Sequence, residues 1–205
     1  MKAIIFLNGT PVSEKQLNAI DFNEALIICA DGAFNYLNGI VVPHVILGDF
    51  DSVNDRNFPK QSEVITFPPE KDFTDGHLAM QTAIDRGANV IDIYGAFGGR
   101  PDHAYANLSL LYQAKKAGVV AVIRDENWQV YLCEGDVKLQ ANAKKYVSIV
   151  PFFESAHIIS TKGLKYPMQN VTLNRQHILG ISNEATENEV EFCSKGEVLV
   201  FIEKA

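Results

Sequence analysis

The sequence has few cysteines, no surplus of basic residues and no long apolar run, and each shortage excludes a class of protein. Its three cysteines, Cys29, Cys133 and Cys193, are widely spaced and form no CxxC pair, so they predict neither a disulfide framework nor a zinc site. Acidic residues outnumber basic ones by 25 to 18, which disfavours binding to nucleic acid or to an anionic membrane. No apolar run has the length of a signal-peptide core or a membrane span. We therefore expect a cytoplasmic protein that acts on small molecules.

Short apolar runs alternate with helical patterns as far as about residue 124. The predicted order is strand 3–7, helix 14–20, strand 26–30, helix 33–37, strands 45–47 and 64–67, helix 75–86, strand 90–94, helix 103–117 and strand 119–123. Such alternation predicts an α/β fold, a mostly parallel sheet flanked by helices in a Rossmann-like three-layer arrangement. Sheets of this kind bind ligands at the carboxyl ends of their strands.

The pattern changes near residue 125 to short alternating segments without a convincing helix. These segments cover residues 129–132, 145–151, 157–160, 188–192 and 198–202. Turn signals, among them Glu134-Gly135-Asp136 and Lys195-Gly196-Glu197, separate them. The second part of the chain is therefore predicted to be a smaller all-β sandwich or barrel.

Acidic residues follow the predicted strands or begin the predicted helices of the first part. They are Asp31, Asp49, Asp51, Asp72, Asp75 and Asp102. Because the carboxyl ends of parallel strands share one edge of a sheet, these side chains are expected to converge there. Carboxylates that lie together repel each other, and a divalent cation or a phosphorylated ligand is the usual counterweight. The sequence thus predicts a protein that handles a metal-bound phosphate.

Asp49 and Asp51 form a DxD motif in a turn after a strand. With one residue between them, both carboxylates can reach the same ion, and Gly48 permits close approach of the backbone. An isolated DxD is more often an ordinary Asp-rich turn. The neighbouring motifs favour the metal site.

Lys71 and Asp72 precede a predicted helix that begins with Thr74 as a cap and Asp75 in its first turn. The cap and the helix dipole alone explain Thr74 and Asp75. They do not explain Lys71, whose ammonium group can neutralise a transferring phosphoryl oxygen. The structural alternative for Lys71 and Asp72 is a surface ion pair.

Gly98, Gly99 and Arg100 follow another strand and lead into a helix. Glycine N–H groups at a helix start can cradle an anion, and the guanidinium fork of arginine suits a phosphate. A plain glycine-rich turn accounts for them about as well. His103 is a candidate general base or a structural histidine, and Asn107 shares its face of the helix.

Taken together, these motifs resemble those of the thiamine pyrophosphokinase family. They occur in the family's order and extend over nearly the whole chain. The matching segments are Ala30-Asp31-Gly32-Ala33, Gly48-Asp49-Phe50-Asp51-Ser52, Lys71-Asp72-Phe73-Thr74-Asp75, Gly98-Gly99-Arg100-Pro101-Asp102-His103 with Asn107, Gly163-Leu164-Lys165-Tyr166-Pro167 and Ile181-Ser182-Asn183-Glu184.

The resemblance implies an ATP-binding catalytic α/β domain at residues 1–125 and a β-sandwich at residues 126–205 that binds thiamine and dimerises. It implies a homodimer with active sites at the subunit interface. The implied reaction transfers diphosphate from ATP to the hydroxyl of thiamine by in-line attack on the β-phosphorus, and gives thiamine diphosphate and AMP. Such chemistry relies on positioning and charge stabilisation rather than on a covalent nucleophile.

The resemblance also implies roles for individual residues. Mg²⁺ is the implied cofactor, with Asp49, Asp51 and Asp75 as its ligands. The implied catalytic set is Asp49, Asp51, Lys71, Asp72, Asp75, Arg100 and Asp102, in which Lys71 and Arg100 steady the phosphates and Asp102 contacts substrate or assists the hydroxyl proton. The implied ATP-binding and thiamine-binding residues are Asp31, Asn35, Thr74, Gly98, Gly99, His103, Asn107, Ser182 and Asn183. Some relatives stack a last-strand tryptophan on thiamine, whereas this chain has Val198-Leu199-Val200-Phe201 there.

Three other readings stay open from the sequence. A 6-hydroxymethylpterin diphosphokinase would use the same ATP and metal apparatus with another acceptor pocket. A metal-dependent phosphohydrolase would also need clustered aspartates but would use no acceptor. A nucleotide-binding module without turnover belongs to a different class, although a mere binder has less need of so many repelling charges.

Overall fold

Six short apolar strands form a parallel sheet in the first of two units into which the chain folds, Met1–Glu126 and Asn127–Ala205. A computed structural model describes residues 1–205. The strands are β1 (Lys2–Phe6), β2 (Ala25–Ala30), β3 (Val45–Gly48), β4 (Glu63–Thr66), β5 (Val90–Tyr94) and β6 (Val120–Arg124). Their order is β6-β5-β1-β2-β3-β4, and every neighbouring pair is parallel. All six carboxyl ends therefore lie along one edge.

Four helices connect these strands. They are α1 (Glu14–Asn18), α2 (Phe34–Leu37), α3 (Asp75–Asp85) and α4 (Pro101–Lys116), and a 3-10 turn at Asp31–Ala33 leads into α2. Ser13 and Thr74 cap α1 and α3 by accepting backbone hydrogen bonds, and for Thr74 this confirms the prediction. Pro101 opens α4, where its missing N–H leaves no bond unmade. α3 packs against α4 and also contacts β1, β2 and β3.

An aromatic cluster occupies the core beside β1. Phe6 is fully buried, and its ring stacks on Tyr94 at 5.5 Å between centroids. Tyr36 meets Phe6 edge-on, and its hydroxyl donates to the carbonyl of Leu7. Because Leu7 directly follows β1, this bond fixes the carboxyl end of the central strand to α2.

The second unit is built around one long strand. Its strands are β7 (Trp128–Gln140), β8 (Tyr146–Pro151), β9 (Ser155–Lys162), β10 (Gln169–Asn174), β11 (Asn183–Glu184) and β12 (Glu189–Glu203). One edge of β12 pairs with β7, and its other edge pairs first with β9 and then with β8. β10 pairs with β9 and β11 with β8, and every pairing is antiparallel.

Two turns predicted from the sequence lie inside strands. Glu134-Gly135-Asp136 belongs to β7 and Lys195-Gly196-Glu197 to β12, so the predicted strands 188–192 and 198–202 are one strand. The register with β7 shifts between Ser194 and Val198. Gly135 and Gly196 have φ of 80° and 90°. Both a bulge and a tight turn place glycine at such positive φ, so the sequence signal is the same for the two. Strands β10 and β11 were not predicted.

In the first unit the predicted elements match those observed, with boundaries that differ by a residue or two. The largest differences are at α1, which ends at Asn18 rather than at residue 20, and at α4, which begins at Pro101 rather than at residue 103. The predicted α/β class is confirmed. None of the helices is long and apolar enough to cross a membrane.

Replacing Phe6 by alanine is expected to lower the free energy of unfolding by about 3 to 5 kcal/mol, because it removes a fully buried ring and leaves a cavity beside Tyr94. Urea denaturation followed by circular dichroism measures the loss. Tyr105→Ala is the control, since this ring on α4 is 65% exposed and its removal should change stability by less than about 0.5 kcal/mol. Equal losses in the two variants would contradict the assignment of Phe6 to the core.

Candidate active site

A polar cavity of about 550 Å³ opens at the carboxyl edge of the parallel sheet. Every residue that lines it belongs to the first unit, between Leu7 and Asn107. Strand β1 lies between β2 and β5. The chain runs outward from β1 through β2, β3 and β4, and then returns to the other side of β1 to form β5 and β6. The cavity thus lies at the reversal point of the strand order, where doubly wound sheets place their ligands.

The loops after β1 and β5 meet at this point. The N–H of Gly9 donates to the carbonyl of Gly95 at 2.9 Å, and that of Thr10 donates to the carbonyl of Phe97 at 2.6 Å. A Cβ on Gly98, which has φ of 86°, would lie 1.9 Å from Thr10 Oγ1. Any larger residue at position 98 would therefore push the two loops apart.

Nine residues that line the cavity were not among the site residues proposed from the sequence, namely Leu7, Asn8, Gly9, Ala30, Ser52, Pro69, Phe73, Gly76 and Ala96. Asn8-Gly9 directly follows the predicted strand 3–7, and that position is the signal that could have identified them. Pro69 and Gly76 carry no such signal, because their place depends on the path of the loop before α3.

The loop after β3 holds Asp49 and Asp51 by burying the residue between them. Phe50 is 3% exposed and packs on Phe58 at 4.9 Å between ring centroids. Its φ is 62°, and Arg56 donates to its carbonyl at 2.7 Å. With Phe50 in the core, the flanking carboxylates both line the cavity.

Asp31 is the most buried carboxylate at the cavity. It begins the 3-10 turn after β2 with φ of 46°, it is 7% exposed, and its Oδ1 has no hydrogen-bond partner. A Cβ on Gly48 would lie 3.0 Å from Asp31 Cβ, so glycine there makes room for it. Burial raises the pKa of Asp31, and the nearby carboxylates add to this, against hydrogen bonds from Gly32 and Ser52.

The oxygen atoms of Asp31, Asp49 and Asp51 fit a divalent cation. One carboxylate oxygen from each lies within 4.8 Å of the others. The buried, unpartnered Oδ1 of Asp31 supplies an oxygen that the protein itself leaves unsatisfied, and hard divalent ions prefer such oxygens. Sequence reasoning placed Asp31 at the substrate rim and gave the third ligand position to Asp75.

Asp75 lies with Asp49 around the ammonium group of Lys71. Lys71 Nζ is 2.8 Å from Asp75 Oδ1 and 3.1 Å from Asp49 Oδ2. Burial opposes the charge on Asp49, but the N–H of Asp51 and the lysine together hold the pKa of Asp49 below its usual range. Burial likewise opposes the charge on Lys71, yet the two carboxylates raise its pKa. Asp49 and Lys71 are thus both charged at neutral pH.

The glycine-rich turn leads into α4 with Arg100 as the residue before its first turn. Arg100 binds Asp102 through Nε at 3.2 Å and Nη2 at 2.6 Å. This bidentate contact lowers the pKa of Asp102 to about 2. Asn107 is buried and donates to the carbonyl of Ala96 at 2.8 Å, which fixes the loop after β5 to α4.

The structure brings most of the residues proposed from the sequence to this one cavity. Those that line it are Asp31, Asp49, Asp51, Lys71, Asp72, Thr74, Asp75, Gly98, Gly99, Arg100, His103 and Asn107. Two other predicted residues of the first unit, Asn35 and Asp102, do not line it. Asn35 donates to the carbonyl of Ser52 and accepts from the N–H of Asn54, so it holds the DxD loop. Asp102 pairs with Arg100.

Ser182 and Asn183 belong to the second unit. The N–H of Ser182 donates to Ser148 Oγ at 3.0 Å. Asn183 is 5% exposed, and its amide group both accepts from the N–H and donates to the carbonyl of Tyr166. The Asn183 side chain therefore positions the segment around Tyr166.

A second depression, of about 480 Å³, lies on β7, β9 and β12. Its charged side chains pair with each other, since Lys138 and Lys162 both contact Glu191. It holds no group of converging carboxylates. The chemistry therefore belongs to the cavity at the sheet edge.

Carboxylates, a lysine, an arginine and a glycine turn at the carboxyl edge of a parallel sheet define an α/β enzyme that acts on metal-complexed phosphates. The thiamin pyrophosphokinase catalytic domain matches residues 18–123, and the vitamin B1 binding domain of the same family matches residues 136–199. The chain belongs to the thiamin pyrophosphokinase family.

Individual relatives belong to the same family. A thiamine pyrophosphokinase of Bacillus subtilis is 31% identical over 178 residues, which is 83% of each chain. A thiamin pyrophosphokinase of Caenorhabditis elegans is 29% identical over 97% of this chain and 88% of its own. The crystal structure of thiamine pyrophosphokinase from Bacillus subtilis superimposes with a TM-score of 0.87 at 27% identity, over 100% of this chain and 99% of that one.

Replacing Asp31 by asparagine is expected to stabilise the metal-free protein at neutral pH and to weaken divalent-ion binding about 10- to 100-fold. Asparagine tolerates the left-handed backbone at this position. Because the pKa of Asp31 is raised in the folded state, its ionisation opposes folding, and the stability tied to its proton is lost as pH rises through that pKa. The advantage of the variant should therefore grow from pH 4 to pH 7.5.

Thermal unfolding in EDTA at both pH values and Mn²⁺ titration by electron paramagnetic resonance measure the two effects. Asp21→Asn is the matched control, because Asp21 is exposed and remote from the cavity lining. Unchanged Mn²⁺ affinity in Asp31→Asn would remove Asp31 from the metal site.

Proposed function

We propose that this enzyme transfers the β,γ-diphosphate of ATP to the hydroxyl of thiamine and releases AMP. The observation that carries the proposal is the cavity at the sheet edge, where carboxylates, Lys71 and the glycine turn converge in a chain that belongs to the thiamin pyrophosphokinase family. In the reaction the thiamine oxygen forms a bond to the β-phosphorus while the bond from that phosphorus to the α,β-bridging oxygen breaks. The hydroxyl proton leaves and AMP takes the bridging electrons.

The cavity residues divide the work of such a transfer. Lys71 supplies a positive charge next to two carboxylates, and its raised pKa keeps that charge in place at neutral pH. Arg100 is exposed and held by Asp102, and its fork can exchange this carboxylate for phosphate oxygens. These groups hold and screen the triphosphate so that attack from one side becomes favourable.

The metal of this site is proposed to be Mg²⁺, held by Asp49 and Asp51 with Asp31 or Asp75 as a third carboxylate. When bound, such an ion neutralises phosphate charge and aligns the oxygens on which negative charge develops. The burial of Asp31 and the closeness of its oxygen to those of Asp49 and Asp51 favour it over Asp75, which lies in the ion pair with Lys71. Asp72 is exposed at the mouth of the cavity, where it can contact the metal's water or the substrate.

Asp102 is a poor proton acceptor while it is paired with Arg100, because a carboxyl group with a pKa of about 2 takes a proton weakly at neutral pH. We therefore propose that Asp102 sets the position of Arg100 rather than serving as general base. His103 and Asn107, one helical turn apart, are proposed to contact substrate from α4.

The finer features of the fold belong to the same proposal. The parallel sheet and its helices are proposed to form a Rossmann-like three-layer catalytic domain at residues 1–125. The antiparallel strands of residues 126–205 are proposed to form a β-sandwich that binds thiamine and dimerises. The match of residues 136–199 to a vitamin B1 binding domain supports the second role.

We further propose a homodimer in which Ser182 and Asn183 complete the thiamine pocket of the partner subunit. In the loop before Ser182, more than half of the surface of Ile178, Leu179 and Ile181 is exposed. Apolar residues exposed together in this way are typical of a surface that a second subunit covers. A cytoplasmic location is proposed as well, and the three free cysteines are in accord with a reducing compartment.

The proposed reaction is tested by incubating the protein with ATP, Mg²⁺ and thiamine and resolving the nucleotides and thiamine phosphates by chromatography. Thiamine diphosphate and AMP are expected in equal amounts and only with the metal. AMP without thiamine would indicate a hydrolase, and product only with 6-hydroxymethylpterin would indicate the other acceptor. Binding of ATP without any product would indicate a binding module.

Asp49→Asn is expected to lower kcat by at least about 10² to 10³-fold, because a neutral amide holds a metal ion poorly and leaves phosphate charge unbalanced. The melting temperature should fall only slightly, because asparagine keeps an oxygen that accepts from the N–H of Asp51, and the loss of the ion pair with Lys71 is offset by weaker repulsion among the carboxylates. Steady-state kinetics and thermal unfolding measure both, with exposed Asp55→Asn as control. Retained activity together with a large loss of stability would make Asp49 structural.

Lys71→Ala is expected to lower kcat about 10² to 10³-fold with little change in the KM for thiamine, because the ammonium group acts on charge that develops at the phosphates. Lys145→Ala, which removes a lysine paired with Glu203 in the second unit, is the control. A Lys71→Ala enzyme with wild-type kcat would take Lys71 out of the chemistry.

A further inference from the structure

Phe73 is an exposed aromatic ring in a cavity lined mostly by polar residues. It is 53% exposed, and it is the only phenylalanine, tyrosine or tryptophan among the residues that line the cavity. It lies in the chain between Lys71 and Asp75, two residues from each. An apolar ring left in water at this place is unfavourable unless something covers it.

The ordinary structural role of such a residue does not account for this exposure. Phe73 precedes the cap Thr74, and an apolar residue at that position often packs on the fourth residue of the helix as a hydrophobic staple. The partner here would be Leu78. Instead the ring stacks on His77, at 4.4 Å between centroids and 14° between planes, so one face is covered and the other is open.

His77 is held in place behind the ring. Its backbone N–H donates to Thr74 Oγ1 at 3.2 Å. Gln113 on α4 donates to the His77 carbonyl at 3.4 Å and to Gln81 Oε1 at 3.2 Å, and its amide nitrogen lies 3.5 Å from His77 Nε2. The backbone of His77 is therefore bonded to the cap and to α4, and Gln113 also contacts its ring, so Phe73 stacks on a side chain that is itself held in place.

We propose that the open face of Phe73 stacks on the aminopyrimidine ring of a substrate. This inference rests on the proposed function, whose two substrates, ATP and thiamine, each carry a planar aminopyrimidine ring and a group that must reach the phosphate-binding residues. Phe73 lies beside those residues in the chain, so a ring stacked on it stays close to the reacting end. Stacking of a base on an aromatic side chain contributes enough to change affinity about 5- to 100-fold on its removal.

The test compares three ligands in direct binding, by calorimetry with Mg²⁺ present: ATP without thiamine, thiamine without ATP, and inorganic tripolyphosphate, which has phosphates but no ring. The variants are Phe73→Ala, Phe73→Leu, which keeps apolar bulk, and Phe73→Trp, which keeps an aromatic face. Tyr105→Ala is the matched control, because it removes an exposed aromatic ring that does not line the cavity.

We expect Phe73→Ala and Phe73→Leu to weaken one ring-bearing ligand about 5- to 100-fold, Phe73→Trp to restore it, and tripolyphosphate to bind all variants alike. A loss confined to ATP identifies adenine as the stacked ring, and a loss confined to thiamine identifies the vitamin. In turnover, the KM of that substrate should rise with kcat less affected.

Two results would overturn the inference. One is unchanged affinity for both ring-bearing ligands in Phe73→Ala, and the other is an equal loss for ATP and tripolyphosphate, which would mean a damaged loop. The proposed function fails separately, if wild-type protein forms no thiamine diphosphate. A ring-dependent loss of ATP binding would then still support stacking on Phe73.

Discussion

Mutual repulsion among carboxylates is the constraint on which this structure depends. Asp31, Asp49, Asp51 and Asp75 all line one cavity, and within it Lys71 is the cation that contacts two of them. A folded chain tolerates such a cluster when hydrogen bonds, a lysine or a bound cation balances it. The strain is shared unevenly, because Asp49 has the lysine whereas Asp31 has burial and an unpartnered oxygen. In the reaction proposed above, this difference would make Asp31 part of the metal-binding end of the cluster and Lys71 part of the end that faces the phosphates.

The parallel sheet makes the crowding possible, since it brings several strand ends to one edge and the carboxylates of the cluster lie in the segments that follow the strands. The loops then set each carboxylate by a different device. A left-handed backbone turns Asp31, a buried aromatic residue holds the DxD loop, and a capped helix start presents Asp75. The glycine turn after β5 is fixed by contact with the loop after β1. Because each device acts on backbone, the site is arranged by the fold before a ligand enters.

Much of this could be predicted from the sequence, and the limits have physical causes. The strands and helices of the first unit were predictable because apolar runs of strand length alternate with capped helical patterns, and the resemblance to a family matched motifs such as that around Asp49. The pairing of Asp75 with Lys71 and the burial of Asp31 were not, because both depend on the path of loops in three dimensions. In the second unit, Gly135 and Gly196 were interpreted as turns, since a bulge and a turn require the same positive φ.

Phe50 ties the loop that carries Asp49 and Asp51 to the hydrophobic core, as it belongs to the same cluster as Phe34 and packs on Phe58. The position of the two carboxylates therefore depends on apolar packing. A change to an apolar side chain such as Phe58, which touches no polar group of the site, would let the loop relax and separate the two carboxylates that flank Phe50. Variants of that aromatic group would then lower activity as well as stability, although they change no charged residue.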